Sequence, residues 1–213
     1  MRLAIFDVDG TLTDTNAIDT ECFVEALASE FGIHAIDEDW SSYPHATDRS
    51  ILGEVLRRAL GRAADEAELA KHRNRFLTVL DERMSGGLAI SGAVEFLQLA
   101  GNRGWTIVLC TGAWRDSARL KLTRAGFPAD LPIAACDVAP SREEIVRAGM
   151  SMCGDAFDRV VAFGDAEWDL RTARNLGLPF IGVGPRSGSA CAIDDYTDAE
   201  AVLALMDVTR APR

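Results

Sequence analysis

Leu3-Ala4-Ile5-Phe6-Asp7-Val8-Asp9-Gly10-Thr11-Leu12 decides how this chain is read. A short apolar run that ends in a carboxylate describes a strand buried on both faces, as strands of parallel sheets are. Open α/β sheets bind their ligands beyond the carboxyl ends of the strands, so both acids stand where a ligand belongs. In extended chain, residues i and i+2 face the same way, and Asp7 and Asp9 can converge on one ligand. Two neighbouring carboxylates repel unless a cation sits between them or one takes a proton. Either arrangement suits phosphoryl transfer. A hairpin turn at Asp9-Gly10 would use the glycine, but it explains neither the second acid nor the helical pattern that follows.

Outward from this segment, short apolar runs at residues 105–110, 133–136, 160–163 and 180–183 alternate with helical patterns at 114–125, 141–152, 167–176 and 198–206. Such alternation predicts an α/β fold, a doubly wound parallel sheet of Rossmann-like type. Ser141 with Glu144 supplies the start signal of one helix, and Gly126 and Gly177 close two others. Residues 15–87 break the rhythm: they hold helical patterns near 18–31, 51–60 and 66–80 and no strand. The expectation is an all-helical domain, 15–87, inserted into a core formed by 1–14 and 88–213. Ser85-Gly86-Gly87 gives the return crossing a flexible backbone, so the insertion can act as a lid.

The 213 residues are 48% hydrophobic and 26% charged with a formal charge of −11, which excludes a disordered chain. So acidic a surface argues against nucleic acid or an anionic membrane as partner. The five cysteines are odd in number and widely spaced, with no zinc pattern, and are expected to be reduced thiols. A cytoplasmic protein is expected, as no apolar run reaches the length of a membrane span.

Three segments carry a resemblance to a known family. Asp7-Val8-Asp9-Gly10-Thr11, Thr111-Gly112 after the second strand, and Gly164-Asp165-Ala166-Glu167-Trp168-Asp169 after a later one resemble, in order, motifs of the haloacid dehalogenase-like hydrolases, in their phosphatase branch. The helical insertion is similar to that family's C1 cap. The resemblance implies Asp7 as nucleophile, Asp9 as general acid and base, and Thr111-Gly112 as the phosphoryl-binding step. It also implies a Mg²⁺ held by Asp7, the Asp9 carbonyl and Asp165, with Asp169 in support. Carboxylate, carbonyl and phosphate oxygens are the ligands that Mg²⁺ prefers.

At the remaining motif the chain departs from many capped relatives, reading Ala139-Pro140-Ser141-Arg142 in place of a lysine before Pro-x-Pro. Arg142 fits the shorter K/R-x-x-I form and would point from a first helical turn at a phosphate. Lys121 is the rival, read as a surface lysine. In the cap loop, His45, Thr47, Asp48 and Arg49 could touch the leaving group; equally, Thr47 or Asp48 could simply cap the helix that follows. His34 and His72 are read as structural, Trp105, Trp114 and Trp168 as packing, and residues 182–188 as a loop bordering the site. The function implied is hydrolysis of a small phosphorylated metabolite by a monomer or weak homodimer. The alternatives are a phosphomutase of the β-phosphoglucomutase type and a non-catalytic phosphate-binding protein.

Overall fold

The computed structural model describes residues 1–86, 88–154 and 156–211. Its sheet is built from β1 (Arg2–Phe6), β2 (Trp105–Cys110), β3 (Ile133–Ala134), β4 (Arg159–Gly164), β5 (Phe180–Val183) and β6 (Ala192–Ile193). All pairings are parallel, in the order β3-β2-β1-β4-β5-β6. This is the doubly wound order, and its direction reverses between β1 and β4.

Alternation along β1 explains both layers. Leu3 and Ile5 join the apolar cluster that includes α6 (Arg142–Cys153) and α7 (Glu167–Leu176). Ala4 and Phe6 join the other, with α4 (Ala93–Asn102), α5 (Arg115–Arg124) and α8 (Ala199–Val208). Phe6 stacks on Phe163 of the neighbouring strand with ring centroids 4.4 Å apart.

Three features differ from the sequence expectation. β3 stops at Ala134 because the Cys136 amide donates to the Ala113 carbonyl (3.1 Å), so the chain leaves the ladder. β6, of two residues, is too short to show a periodicity. α4 starts without a side-chain cap, after Gly92 at φ +75°, and so carries no start signal.

Between β1 and α4 lie α1 (Asn16–Phe31), α2 (Asp48–Leu60) and α3 (Glu66–Arg83). Cys22, Phe23, Ala26 and Leu27 of α1 are buried in the same cluster as Phe76, Val79 and Leu80 of α3. A reciprocal capping box of Asp65 and Glu68 starts α3. The outgoing and returning chains run side by side: the Asp14 amide donates to the Leu88 carbonyl (2.7 Å) and the Ile90 amide to that of Leu12 (2.9 Å). Gly87, assigned from sequence to the return crossing, lies outside the described residues. No helix among the described residues is long and apolar enough to cross a membrane, and the five cysteines are free thiols.

His72 of α3 is fully buried, its Nε2 3.0 Å from the Phe23 carbonyl and its ring edge-on to Phe23. Burial lowers its pKa to about 4, against the opposing hydrogen bond. The unfolded chain therefore takes up this proton first, and stability falls as pH drops from about 6.5 toward the folded value, by about 1.4 kcal/mol per pH unit. The stability advantage of wild type over His72→Gln should shrink by about 2 kcal/mol between pH 7 and pH 5. Urea unfolding at the two pH values measures it; a constant difference contradicts a neutral buried imidazole.

Candidate active site

β1 and β4 bring two carboxylates to the switch point. The Asp7 amide donates to the Phe163 carbonyl (3.1 Å), extending the ladder one residue past β1, and Asp165 directly follows β4. Asp169 lies in the first turn of α7, where its Oδ2 accepts from the Ala166 amide (3.2 Å). It is thus both a first-turn acid of the helix and a site residue. One oxygen each from Asp7, Asp165 and Asp169 lie within 4.8 Å of one another, and all three residues are buried. Gly10 makes this approach possible: its φ is +75°, and a Cβ there would meet Asp165 Oδ2 at 2.0 Å.

Burial raises the Asp7 carboxyl well above its ordinary pKa; Asp169, Asp165 and Asp9 add to the rise, and Arg142 opposes it. Burial likewise lifts Asp169 to about 6, with Arg142 opposing and Asp165 adding. Arg142, from the first turn of α6, donates from Nη1 to Asp169 Oδ1 (2.6 Å) and Asp7 Oδ1 (3.2 Å). Asp165 is raised by burial and partly relieved by the guanidinium of Arg186, an exposed side chain that pairs with it from the short 3-10 helix Pro185–Ser187 after β5. Asn16 also donates to Asp165 (3.3 Å). Buried carboxylates this close, with one guanidinium between two of them, form an oxygen-rich, anionic set that suits a divalent cation.

The Asp9 carboxylate stands outside that set, though it lines the same cavity. It accepts from Lys121 Nζ at 2.7 and 2.8 Å and from Thr15 Oγ1 at 2.5 Å. This corrects the reading of Lys121 as a surface lysine: the residue is fully buried, and it also pairs with Asp19 of α1. Burial raises Asp19 to about 6, with Lys121 opposing. The Lys121 partners come from segments about a hundred residues away, so nothing in the polar run around it announces them.

Thr111, buried just beyond β2, accepts the Ala113 amide (3.1 Å) and lines the cavity with Gly112. The loop before α2 is hydrogen-bonded to the segments that follow β2 and precede α6. The Thr47 hydroxyl donates to the Pro140 carbonyl (2.8 Å), and the Asp48 amide donates to that of Gly112 (2.8 Å). Asp48 Oδ2 accepts from the Trp114 amide (3.0 Å), and Arg142 Nε donates to the Ala46 carbonyl (2.9 Å). A side chain at position 112 would bring a Cβ within 2.6 Å of that Ala46 carbonyl. Thr47 is thus the cap of α2, while Asp48 meets the start of α5.

Thr47 and Asp48 line the cavity; Arg49 and His45 do not. Arg49 of α2 pairs with Glu66 of α3, and His45 faces a separate depression beside Glu143 and Arg171. Asn16, Asp19, Thr20 and Phe23 also line the cavity, with Trp40 and Trp168. The α1 residues sit at i, i+3, i+4 and i+7, one helical face, and that spacing is the signal that could have found them. Trp168 is part of the cavity wall, with the Arg142 guanidinium 5.9 Å from its ring centroid, rather than packing alone.

The profile of the haloacid dehalogenase-like hydrolases matches residues 1–177. The chain belongs to that family. Among curated relatives of this hydrolase, "Probable phosphatase IndB" of Dickeya dadantii is 30% identical over 193 residues, 85% of this chain and 80% of that protein. A phosphoglycolate phosphatase of Agrobacterium fabrum is 27% identical over 193 residues, covering 85% and 79%. These relatives place the hydrolase in the phosphatase branch. Its fold is shared with a hydrolase from Pseudomonas syringae (TM-score 0.75, 20% identity, 96% of this chain and 98% of that one). The same holds for CbbY from Rhodobacter sphaeroides, solved in complex with phosphate (TM-score 0.75, 22% identity, 97% and 99%).

Proposed function

We propose that this phosphatase hydrolyses a small phosphomonoester through an aspartyl-phosphate on Asp7, with Mg²⁺ held by Asp7, Asp165 and Asp169 and residues 15–87 acting as the cap. The observation that carries the reading is the buried Asp7–Asp165–Asp169 set with a second acid, Asp9, in the same cavity and paired with Lys121. Mg²⁺, when bound, would neutralise charge on the phosphoryl oxygens and on the carboxylates around them.

Asp7 attacks phosphorus as an ionised carboxylate; the ester P–O bond breaks as the new P–O bond to Asp7 forms. The departing oxygen needs a proton, which the acid form of Asp9 supplies once the side chain leaves Lys121 for the substrate oxygen, and which the later attack of water returns to it. Asp9 then accepts a proton from the water that attacks the phosphoryl group, releasing phosphate and restoring Asp7. The Thr111 hydroxyl is positioned to donate to the phosphoryl group. Arg142 balances charge on Asp7 and, through the Ala46 carbonyl, ties that balance to the cap loop.

Phosphate release from p-nitrophenyl phosphate and from an alkyl phosphate tests the reading: turnover with Mg²⁺ that vanishes in excess EDTA is expected, and undiminished turnover in EDTA contradicts it. Arg142→Ala should lower kcat/KM by about 10²–10³. Arg142→Lys keeps a charge but cannot hold Asp7, Asp169 and the Ala46 carbonyl together, and should fall between. Steady-state kinetics on the two variants check the order.

A further inference from the structure

We propose that the cavity selects phosphomonoesters whose leaving group carries no negative charge, a short alkyl or aryl alcohol, and discriminates against leaving groups that bear a carboxylate or a second phosphate. The inference rests on the phosphatase reading and adds the substrate class. The cap side of the cavity is walled by Phe23, Trp40 and Ile51, and its ionisable groups are the carboxyls of Asp19 and Asp48.

Among the described residues Arg142 is the one Lys, Arg or His side chain that lines the cavity. It bonds Asp7 and Asp169, where the phosphoryl group belongs. Lys121 does not line the cavity, and its ammonium is held by Asp19 as well as by Asp9, so it stays paired when Asp9 turns to the substrate. Arg49, on the cap helix behind the loop, is paired with Glu66, and Arg186 borders an adjoining groove and pairs with Asp165.

A second anion on the leaving group would therefore be desolvated beside two carboxyls with no counter-ion. A buried charge without a partner is strongly unfavourable. Apolar atoms meet the aromatic wall instead. The cavity is partly open and has a volume of about 70 Å³, on a scale where one water needs about 10–15 Å³, which favours a small leaving group.

Ethyl phosphate and phosphoglycolate share a two-carbon skeleton and differ in the terminal group, methyl against carboxylate. With Mg²⁺, wild type should show kcat/KM at least about tenfold higher for ethyl phosphate. Thr20→Lys places a cation on the cavity wall and should narrow that ratio by improving phosphoglycolate, with folding checked by circular dichroism. Binding of the same two compounds to Asp7→Asn protein, followed calorimetrically, gives the preference without turnover. Tighter binding and faster turnover of ethyl phosphate support the proposal; equal or better binding of phosphoglycolate overturns it. Release of phosphate from neither compound nor from p-nitrophenyl phosphate, with the binding preference intact, overturns the phosphatase reading and leaves the selectivity standing.

Discussion

Asp7→Asn should abolish turnover, by on the order of 10⁴ or more, and at the same time raise the melting temperature of the metal-free protein. The first effect follows from loss of the nucleophile, since an amide oxygen does not form the acyl-phosphate that the second step hydrolyses. The second follows from the crowding of Asp7, Asp165 and Asp169. The folded state raises the Asp7 pKa, chiefly by burial and then by the charge of Asp169. At neutral pH its ionised form therefore opposes folding, and this cost fades as acid protonates the group. Asn removes the charge, while Arg142 keeps Asp169 as a partner. Saturating Mg²⁺ should reverse the order, because wild type gains more from a cation bound only by the folded state. Phosphate-release assays and thermal melts with and without Mg²⁺ check both halves; a lower apo melting temperature for the variant contradicts the electrostatic account.

Lys121→Met should destabilise the protein by about 3–5 kcal/mol. The side chain is fully buried and its ammonium serves Asp9 and Asp19 together, with the Asp48 carboxyl acting on it as well. Met has a similar length and no charge, so the loss isolates the missing cation from the packing of the stem. Carboxylates from the loop after β1 and from α1 and α2 are then left close together without it. Adding Asp19→Asn should restore part of the stability, a non-additivity that urea unfolding of the single and double variants measures. A surface lysine would cost almost nothing, and a loss within about 0.5 kcal/mol would contradict the buried pairing.

The contrast between Arg142 and Lys121 shows what the sequence can carry. Arg142 was legible because a local signal, a Ser141 cap and a first-turn position, sets both its helix and its direction. Asp7, Asp165 and Thr111 were legible for a similar reason: each ends or follows a strand whose apolar run is visible, and parallel strands end on one edge. Lys121 was misread because its partners Asp9 and Asp19 are brought to it by tertiary packing and leave no local mark. The same holds for Asp48, whose carboxylate was expected either at the substrate or at its own helix and instead accepts the Trp114 amide at the start of α5. The polar face of α1 was missed beside its apolar stripe, although Asn16, Asp19, Thr20 and Phe23 have helical spacing. α4 and β6 were missed for want of a cap and of length.

The most direct test of the central claim is the covalent step on Asp7. Enzyme mixed with phosphoryl-labelled p-nitrophenyl phosphate and Mg²⁺, quenched in acid during turnover and digested, should carry the label on the peptide that holds Asp7. The label should be absent from Asp7→Asn protein and discharged by native enzyme once substrate is exhausted. Continued turnover with no label on that peptide, or label on another residue, would contradict the account.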